Sequence, residues 1–258
     1  MTHDLTALLG FAGRLADTAR AILAPAAKAA RSYTLKSDMS PVTETDERIE
    51  RHLRAMISAA YPEHGILGEE FGNVGLDREW VWVIDPIDGT KAFVAGFAVF
   101  GTLIGLAHRG APVLGIIDNP VTGERWAGAT GLPSTRNGRP IRSRDCSGLT
   151  GAFISNGNPE ALDSDEMDRF SNLRSRVGGC VYGGSAMSYA RIADGGLDIA
   201  LDAGLDPFDY CALVPVVQGA GGVITDWEGA PLTISSGHRC LATATPDLHR
   251  AAIAALAA

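Results

Sequence analysis

Apolar residues in the first sixty positions recur at the spacing of helices. Between residues 5 and 23 they fall three and four apart, and Pro25 is predicted to end or kink this first helix. A second apolar stripe over residues 49–60 has charged residues on its other faces, which is typical of a helix with one buried face. Thr43 is the predicted N-cap of this helix, and Asp46 stands three residues later at the capping-box position.

Short apolar runs with strand character follow, separated by glycine, proline and asparagine. The run over residues 80–84 stops at Asp85, and a turn at Arg109-Gly110 joins two longer runs, which predicts an antiparallel meander. The predicted strands of this region cover residues 66–68, 80–84, 99–107, 113–117 and 125–127.

Beyond a polar stretch at residues 134–147, strands and helices alternate. We place a boundary in this stretch, which gives an N-terminal α+β half over residues 1–145 and a C-terminal α/β half over residues 146–258. The order of elements predicts a layered α/β fold, with helices packed between sheets. In the second half, strands are predicted at 152–155, 198–201 and 223–225, and helices at 164–173, 185–193, 208–218 and from Thr245 onward.

The composition is that of a well-packed globular chain. Its 258 residues are 46% hydrophobic, and 22 basic against 30 acidic residues give a formal charge of −8. An acidic chain is a poor partner for nucleic acid or for an anionic membrane surface, so we expect neither. We also expect no signal peptide and no membrane-spanning segment, because charges interrupt every long apolar run.

Cysteines and histidines do not form a recognisable metal or redox motif. Neither type has the spacing of a zinc site, and the Gly-x-x-x-x-Gly-Lys-Ser/Thr loop of nucleotide-binding proteins does not occur. Isolated cysteines are typical of free thiols in a reducing compartment, which favours a cytoplasmic location. They stand at Cys146, Cys180, Cys211 and Cys240.

Carboxylates instead gather in three short motifs, and the middle motif is the most informative. A proline-containing turn can bring Asp85 and Asp88 to the same side and leave the carbonyl of Ile87 free as a hard oxygen ligand. The backbone N–H groups of Gly89 and Thr90 would then be open to an anion. The three motifs are Gly68-Glu69-Glu70, residues 85–90 and residues 205–209.

Such a site can bind a phosphate ester only together with cations, because several carboxylates would repel a phosphate dianion. Two Mg²⁺ ions about 3.5–4 Å apart neutralise the carboxylates and hold the oxygens of an in-line displacement. Each motif alone also has an ordinary structural explanation. Asp88-Gly89 fits a turn, Glu69-Glu70 a solvated acidic pair, Asp209 an N-cap, and Asp46 the capping acid of its own helix.

Taken together, the motifs resemble the inositol monophosphatase family. Residues 41–46 resemble its Thr-x-x-Asp element, residues 68–70 and 82–90 its metal-binding signature, and residues 208–222 its C-terminal element. They stand in the family's order and span nearly the whole chain. The resemblance implies a Mg²⁺-dependent phosphomonoesterase with a five-layer αβαβα sugar-phosphatase fold, usually a homodimer.

The resemblance also implies roles for individual residues. Thr90 and Asp46 would form a hydrogen-bonded pair that orients and deprotonates the attacking water. The amides of Gly89 and Thr90 would receive the phosphate, and Gly184-Ser185 would be a substrate-facing loop, although Ser185 also fits a plain helix N-cap. Two or three Mg²⁺ ions would be held by Glu69, Asp85, the carbonyl of Ile87, Asp88 and Asp209, of which Asp88 and Asp209 also border the substrate.

Departures from the inositol enzymes point to a different substrate. Asp202 stands seven residues before Asp209, where inositol phosphatases commonly carry Glu, and residues 204–209 resemble the histidinol-phosphate phosphatases of the family. Histidinol phosphate carries an ammonium group, with which the carboxylate of Asp202 or Asp206 would pair. Asp206 also fits an Asp-Pro turn. We therefore expect this substrate to be preferred over inositol 1-phosphate.

Several alternatives are compatible with parts of the sequence. Haloacid-dehalogenase-type phosphatases also place aspartates at a strand end, but two residues separate Asp85 from Asp88, which makes Asp85 a poor nucleophile. Inositol phosphates, sugar phosphates and nucleotide bisphosphates all suit the same core chemistry. A non-catalytic protein that binds RNA-processing or transcription machinery is a further alternative, which the complete set of carboxylates disfavours.

Overall fold

The computed structural model describes residues 4–28, 32–35 and 41–258. Within these ranges the α-helices are α1 (Leu5–Ala26), α2 (Glu44–Ala60), α3 (Thr90–Ala95), α4 (Ser164–Arg174), α5 (Ser185–Ala193), α6 (Pro207–Tyr210), α7 (Leu213–Gly219) and α8 (Pro246–Leu256). The strands are β1 (Thr34–Leu35), β2 (Pro41–Val42), β3 (Gly65–Gly68), β4 (Trp80–Asp88), β5 (Gly101–His108), β6 (Ala111–Asp118), β7 (Arg125–Ala129), β8 (Leu132–Arg136), β9 (Arg139–Pro140), β10 (Phe153–Asn156), β11 (Gly179–Tyr182), β12 (Ile199–Asp202), β13 (Val223–Thr225) and β14 (Cys240–Thr243).

The two N-terminal helices form as the sequence predicts. Asp4 is the N-cap of helix α1 and its side chain accepts a hydrogen bond from the amide of Thr6, and the helix ends one residue after Pro25. Helix α2 has Thr43 as its N-cap and Asp46 as the reciprocal partner of a capping box, so both predictions are confirmed. None of the described helices is both long and apolar enough to cross a membrane.

The first sheet has seven strands in the order β3-β4-β5-β6-β7-β8-β9, with only the β3–β4 pair parallel. The predicted antiparallel meander is confirmed. Strands β8 and β9 occupy part of the polar stretch for which no strand was predicted. Of the β8 residues only Ser134 is buried, so this edge of the sheet lacks the apolar alternation that identifies a strand.

Strand β4 continues past Asp85, and the prediction that it stops there is wrong. Asp85 pairs with Leu103 and Asp88 with Gly101, so β4 holds one residue more than β5 over this interval and forms a bulge. The hydroxyl of Thr102 donates to the carbonyl of Pro86 inside the bulge at 2.8 Å. Side chains alternate along a regular strand, and the extra residue therefore turns the carboxylates of residues 85 and 88 to the same side.

The second sheet has five strands in the order β11-β10-β12-β14-β13. Strand β11 pairs parallel with β10 and forms an exposed edge, where Val181 and Tyr182 are half exposed, so it carries no buried pattern. Strand β14 is buried along its whole length, but its four residues are too few to show a period. Neither β11 nor β14 is therefore predicted from the sequence.

Helices and sheets alternate as five layers, which confirms the αβαβα fold. Helices α1 and α2 cover the outer face of the first sheet. Helices α5, α6 and α7 fill the space between the two sheets. Helices α4 and α8 cover the outer face of the second sheet. The chain passes from the first sheet to the second between residues 140 and 153.

The prediction of one helix over residues 208–218 is wrong, because the chain forms α6 and α7 with a break at Cys211 and Ala212. At this break the backbone lies directly on β6. A Cβ atom at Gly115 would come within 1.9 Å of the carbonyl oxygen of Ala212. Only glycine at position 115 permits this approach, which seats the middle helix layer against the first sheet and places Asp209 at the sheet edge.

Candidate active site

A cavity of about 560 Å³ lies beside the β4 bulge and between the two sheets. One part of its wall is acidic, and the rest is built from small and apolar side chains. The wall includes Glu69, Asp88, Gly89, Thr90, Lys91, Phe97, Asn158, Ser185, Tyr189, Asp202, Leu205 and Asp209.

Three carboxylates converge at the acidic wall. Asp85 and Asp88 come from the β4 bulge, and Asp209 comes from α6, far along the chain. Oxygen atoms of these three side chains lie within 4.8 Å of one another. Glu69 follows the end of β3 and lies close enough to share a hydrogen bond with Asp85. The structure therefore brings together the four side chains that the sequence predicts as metal ligands.

Burial and mutual repulsion raise the pKa values of this cluster. The pKa of Asp85 lies well above its ordinary value because the group is buried and faces the charges of Glu69, Asp88 and Asp209. The pKa of Asp209 is raised for the same two reasons. Burial, with repulsion from Asp202 and Glu69, raises the pKa of Asp88 to about 7. The negative charge of this carboxylate cluster is thus poorly compensated by the side chains around it.

The donor set fits a hard divalent cation. Every side-chain ligand offered is a carboxylate oxygen, which is the type that magnesium prefers. The buried Oδ1 atom of Asp85 accepts no hydrogen bond from the described residues. A buried carboxylate without a partner is costly, and a bound cation would remove that cost.

The carbonyl of Ile87 accepts a hydrogen bond from the hydroxyl of Thr90 at 2.9 Å. A carbonyl oxygen has two lone pairs, so this bond leaves one for the metal role that the family resemblance implies. The bond also fixes Thr90 at the first position of α3, beside the acidic wall.

Asp46 and Thr90 form hydrogen bonds with other residues and not with each other. The amide and hydroxyl of Thr43 both donate to Oδ2 of Asp46. The hydrogen bonds among the described residues do not include one between Asp46 and Thr90, so the predicted pair is not formed in this structure. The Oδ1 atom of Asp46 is buried and accepts no hydrogen bond from the described residues. Burial, with a contribution from the charge of Glu69, raises the pKa of Asp46 to about 6.

Gly89 forms the tight entry to α3. Its φ of +79° is in the left-handed region, which glycine adopts without strain. A Cβ atom there would come within 2.9 Å of both Ser185 Oγ and the carbonyl oxygen of Val99. Position 89 therefore requires glycine for two independent reasons.

The start of α5 is attached directly to the acidic wall. The amide of Ala186 donates to Oδ2 of Asp88 at 2.9 Å. Ser185 lines the cavity with a positive φ of 46°, and Gly184 is the N-cap residue of α5. The alternative that Ser185 is a plain N-cap is wrong, because Gly184 occupies that position.

Asp202 and Asp206 have different surroundings. Asp202 is buried at the cavity wall, where burial raises its pKa to about 6. Asp206 is exposed, acts as the N-cap of α6 and donates its amide to Oδ2 of Asp209 at 2.7 Å. The structure thus gives Asp206 a capping position, while only Asp202 of the two borders the cavity.

Glu50 is an important residue that the sequence analysis misses. This carboxylate is fully buried and accepts the amides of Glu70 and Phe71, the two residues after Glu69. The buried stripe of α2 runs through positions 46, 49, 50, 53 and 57. Carboxylates at two positions of an otherwise apolar stripe are the signal that could have identified it.

Comparisons with known proteins agree with this geometry. A model of the inositol monophosphatase family matches residues 4–258. The bifunctional phosphatase IMPL2, chloroplastic, of Arabidopsis thaliana is 39% identical over 230 residues, which are 86% of this chain and 66% of the plant protein. A histidinol-phosphatase of Chlorobaculum parvum is 33% identical over 195 residues, 75% of either chain. An inositol monophosphatase structure from Zymomonas mobilis has a TM-score of 0.91 and 37% identity, and the match covers 99% of this chain and 100% of that one.

Proposed function

Since this chain belongs to the inositol monophosphatase family and is a phosphatase, we propose that it is a Mg²⁺-dependent phosphomonoesterase whose substrate is histidinol phosphate. The observation that carries the proposal is the cavity itself. Three carboxylates meet at one end with Glu69 hydrogen-bonded to one of them, and a separate buried carboxylate, Asp202, lies on the wall beyond them. The converging carboxylates suit cations that bind phosphate, and the carboxylate of Asp202 suits a cationic leaving group.

Two or three Mg²⁺ ions would be held by Glu69, Asp85, the Ile87 carbonyl, Asp88 and Asp209. Bound there, Mg²⁺ supplies the positive charge that neutralises the carboxylates, attracts the phosphate and lowers the pKa of water. The amides of Gly89 and Thr90 would receive phosphate oxygens at the start of α3.

The protein's own groups would prepare the water that attacks phosphorus. The hydroxyl of Thr90 already donates to the Ile87 carbonyl, so its oxygen is free to accept a hydrogen bond from water and orient it. Asp46 is buried and does not line the cavity. The proton that this water loses would therefore pass to Thr90 Oγ while the Thr90 hydroxyl gives its own proton to the unpaired Oδ1 of Asp46, which requires the predicted Thr90–Asp46 hydrogen bond to form. The water oxygen would bond to phosphorus as the ester P–O bond breaks. The departing alkoxide would take a proton from a solvent water molecule, and the hydroxide so formed would take up the proton left on Asp46, which gives the alcohol and inorganic phosphate.

Asp202 supports the choice of an amino alcohol as the leaving group. An ammonium group pairs with a buried carboxylate much more strongly than a neutral hydroxyl does. The apolar side chains of Phe97 and Leu205 on the same cavity suit the ring of histidinol better than a polyol. The homodimer and the cytoplasmic location expected from the sequence stay predictions.

A phosphate-release assay with Mg²⁺ tests the proposal. The substrates are histidinol phosphate, inositol 1-phosphate, fructose 1,6-bisphosphate and 3′-phosphoadenosine 5′-phosphate. We expect the highest kcat/KM for histidinol phosphate. An equal or higher kcat/KM for inositol 1-phosphate would reject the substrate, and the absence of Mg²⁺-dependent release from all four would reject the whole proposal.

A further inference from the structure

Beyond the predicted ligands, the loop that carries Glu69 is held from behind by a second pair of charged residues. The Oε2 atom of Glu50 accepts the amide of Glu70 at 2.8 Å, and its Oε1 atom accepts the amide of Phe71 at 3.2 Å. Arg54 stands one helical turn further along α2 and donates to Oε1 of Glu50 at 2.7 Å. Arg54 also donates to the carbonyl of Gly72.

These contacts fix the backbone immediately after Glu69. The carboxylate of Glu50 accepts two successive N–H groups, and the guanidinium of Arg54 donates to the carbonyl of Gly72. The loop over residues 69–72 is therefore clamped to α2 at three backbone positions, while the side chain of Glu69 is directed to the cavity. Neither Glu50 nor Arg54 lines that cavity.

The residue before Glu69 leaves room for the side chains of Glu50 and Arg54. Gly68 immediately precedes Glu69, and a Cβ atom at that position would lie 2.3 Å from Oε1 of Glu50 and 2.7 Å from Nη2 of Arg54. Helix α2 also carries Asp46, one turn before Glu50 on the same buried stripe. One rigid helix thus sets the positions of Asp46 and of the Glu69 loop together.

We propose that Glu50, supported by Arg54, is a positioning residue that holds Glu69 in the geometry needed to bind the divalent cation. This inference rests on the proposed function, because it assigns Glu69 to a metal. Residues that orient metal ligands typically contribute about 10- to 100-fold in metal affinity when they are lost. Glu50 acts through hydrogen bonds to the backbone of Glu70 and Phe71, so it touches neither metal nor substrate.

The test is Glu50→Gln, with Glu47→Gln as the matched control. Glu47 is on the same helix, is about half exposed and pairs with Arg51 at 3.6 Å, so the control makes the same chemical change away from the loop. Mg²⁺ binding to the purified, chelator-treated protein is measured by calorimetry, and Tm and the Mg²⁺ dependence of phosphate release are measured on the same samples.

We expect Glu50→Gln to weaken Mg²⁺ binding by about 10-fold or more, with kcat largely recovered at saturating Mg²⁺, while Glu47→Gln binds Mg²⁺ like the wild type. A merely structural role would lower Tm and kcat and leave the Mg²⁺ dissociation constant unchanged, which would overturn the inference alone. A wild-type protein that binds no Mg²⁺ would overturn the proposed function and the inference with it.

If Glu50→Gln does not fold, Glu50→Asp provides the same test. Its side chain is one methylene shorter, which withdraws the carboxylate from the amides of Glu70 and Phe71, and we expect the Mg²⁺ affinity to fall. Wild-type Mg²⁺ affinity in Glu50→Asp would overturn the inference.

Discussion

The hydroxyl of Tyr189 donates a hydrogen bond to Oδ2 of Asp202 over 2.8 Å. The amide of Gly157 donates to the other oxygen, Oδ1, at 2.6 Å. Oδ1 also accepts the side-chain amide of Asn156 at 3.4 Å. Both oxygens of this carboxylate are therefore fixed in direction at the cavity wall, and Oδ2 retains a lone pair for a further donor. A fixed carboxylate is better prepared to bind a cation than a mobile one, because less side-chain entropy is lost on binding.

Asp202→Asn tests the recognition of the leaving group. We expect kcat/KM for histidinol phosphate to fall by about 10- to 100-fold, because a charge-assisted hydrogen bond is replaced by a neutral one. The kcat/KM for a small uncharged ester such as phenyl phosphate should change little. Asp206→Asn is the control, since Asp206 is an exposed cap outside the cavity. An equal fall in kcat/KM for both substrates would mean that Asp202 supports the structure of the site and does not recognise the leaving group.

Asp88→Asn tests the metal cluster. We expect kcat to fall by about 100-fold or more and Mg²⁺ binding to weaken, because one anionic ligand is lost. The Tm of the metal-free protein should not fall, since the substitution relieves repulsion and the Asn carbonyl still accepts the amide of Ala186. The exposed Asp77→Asn is the control. Unchanged kcat at low Mg²⁺ would contradict the assignment.

Thr90→Ala tests the orientation of water. The hydroxyl bonded to the Ile87 carbonyl is lost, and we expect kcat to fall by about 100-fold, with a change in KM below about threefold. Thr90→Ser keeps the hydroxyl and should retain most of the kcat. An effect confined to KM would mean that Thr90 positions the phosphate instead.

The raised pKa values predict how the stability of the metal-free protein depends on pH. The pKa of Asp88 is raised from 3.8 to about 7, and the pKa values of Asp85 and Asp209 are also raised, so between the ordinary and the raised values the folded state binds more protons than the unfolded state. The free energy of unfolding must therefore fall as the pH rises through this range, by about 1.4 kcal/mol per pH unit for each proton of difference.

Thermal unfolding in a chelating buffer at pH 6 and pH 8, on either side of the raised pKa of Asp88, checks the direction of this change. We expect a lower Tm at pH 8, and a larger rise in Tm on addition of Mg²⁺ at pH 8 than at pH 6, because protons and cations compete for the same oxygens. Asp88→Asn should reduce both differences. A metal-free protein that is more stable at pH 8 would show that the cluster is not repulsive.

Local sequence patterns predict the helices α1, α2, α4, α5 and α8, the meander and the capping of α2, because each depends on residues close in the chain. The bulge in β4 depends on pairing with β5, and the break between α6 and α7 depends on the contact of Ala212 with Gly115. Neither contact can be derived from residues that are neighbours in sequence.

In the candidate site too, some residues are predicted from the sequence and others are recognised only from contacts in the structure. Asp85, Asp88 and Asp209 are predicted as ligands from a family resemblance, and the structure brings their oxygens together. Glu50 carries no motif, and its importance is visible only when the amides it accepts are known. Asp206 is the opposite case, since its place in the motif predicts a contact with the ammonium group of the substrate, whereas the structure makes it the N-cap of α6.

The acidic wall is assembled from the β4 bulge of the first sheet and from α6, which follows β12 of the second. A folding intermediate with only one sheet formed would hold some of these carboxylates and would be inert towards phosphate esters at any magnesium concentration. In a refolding experiment, catalysis can therefore return only after the two sheets have closed on the helices between them.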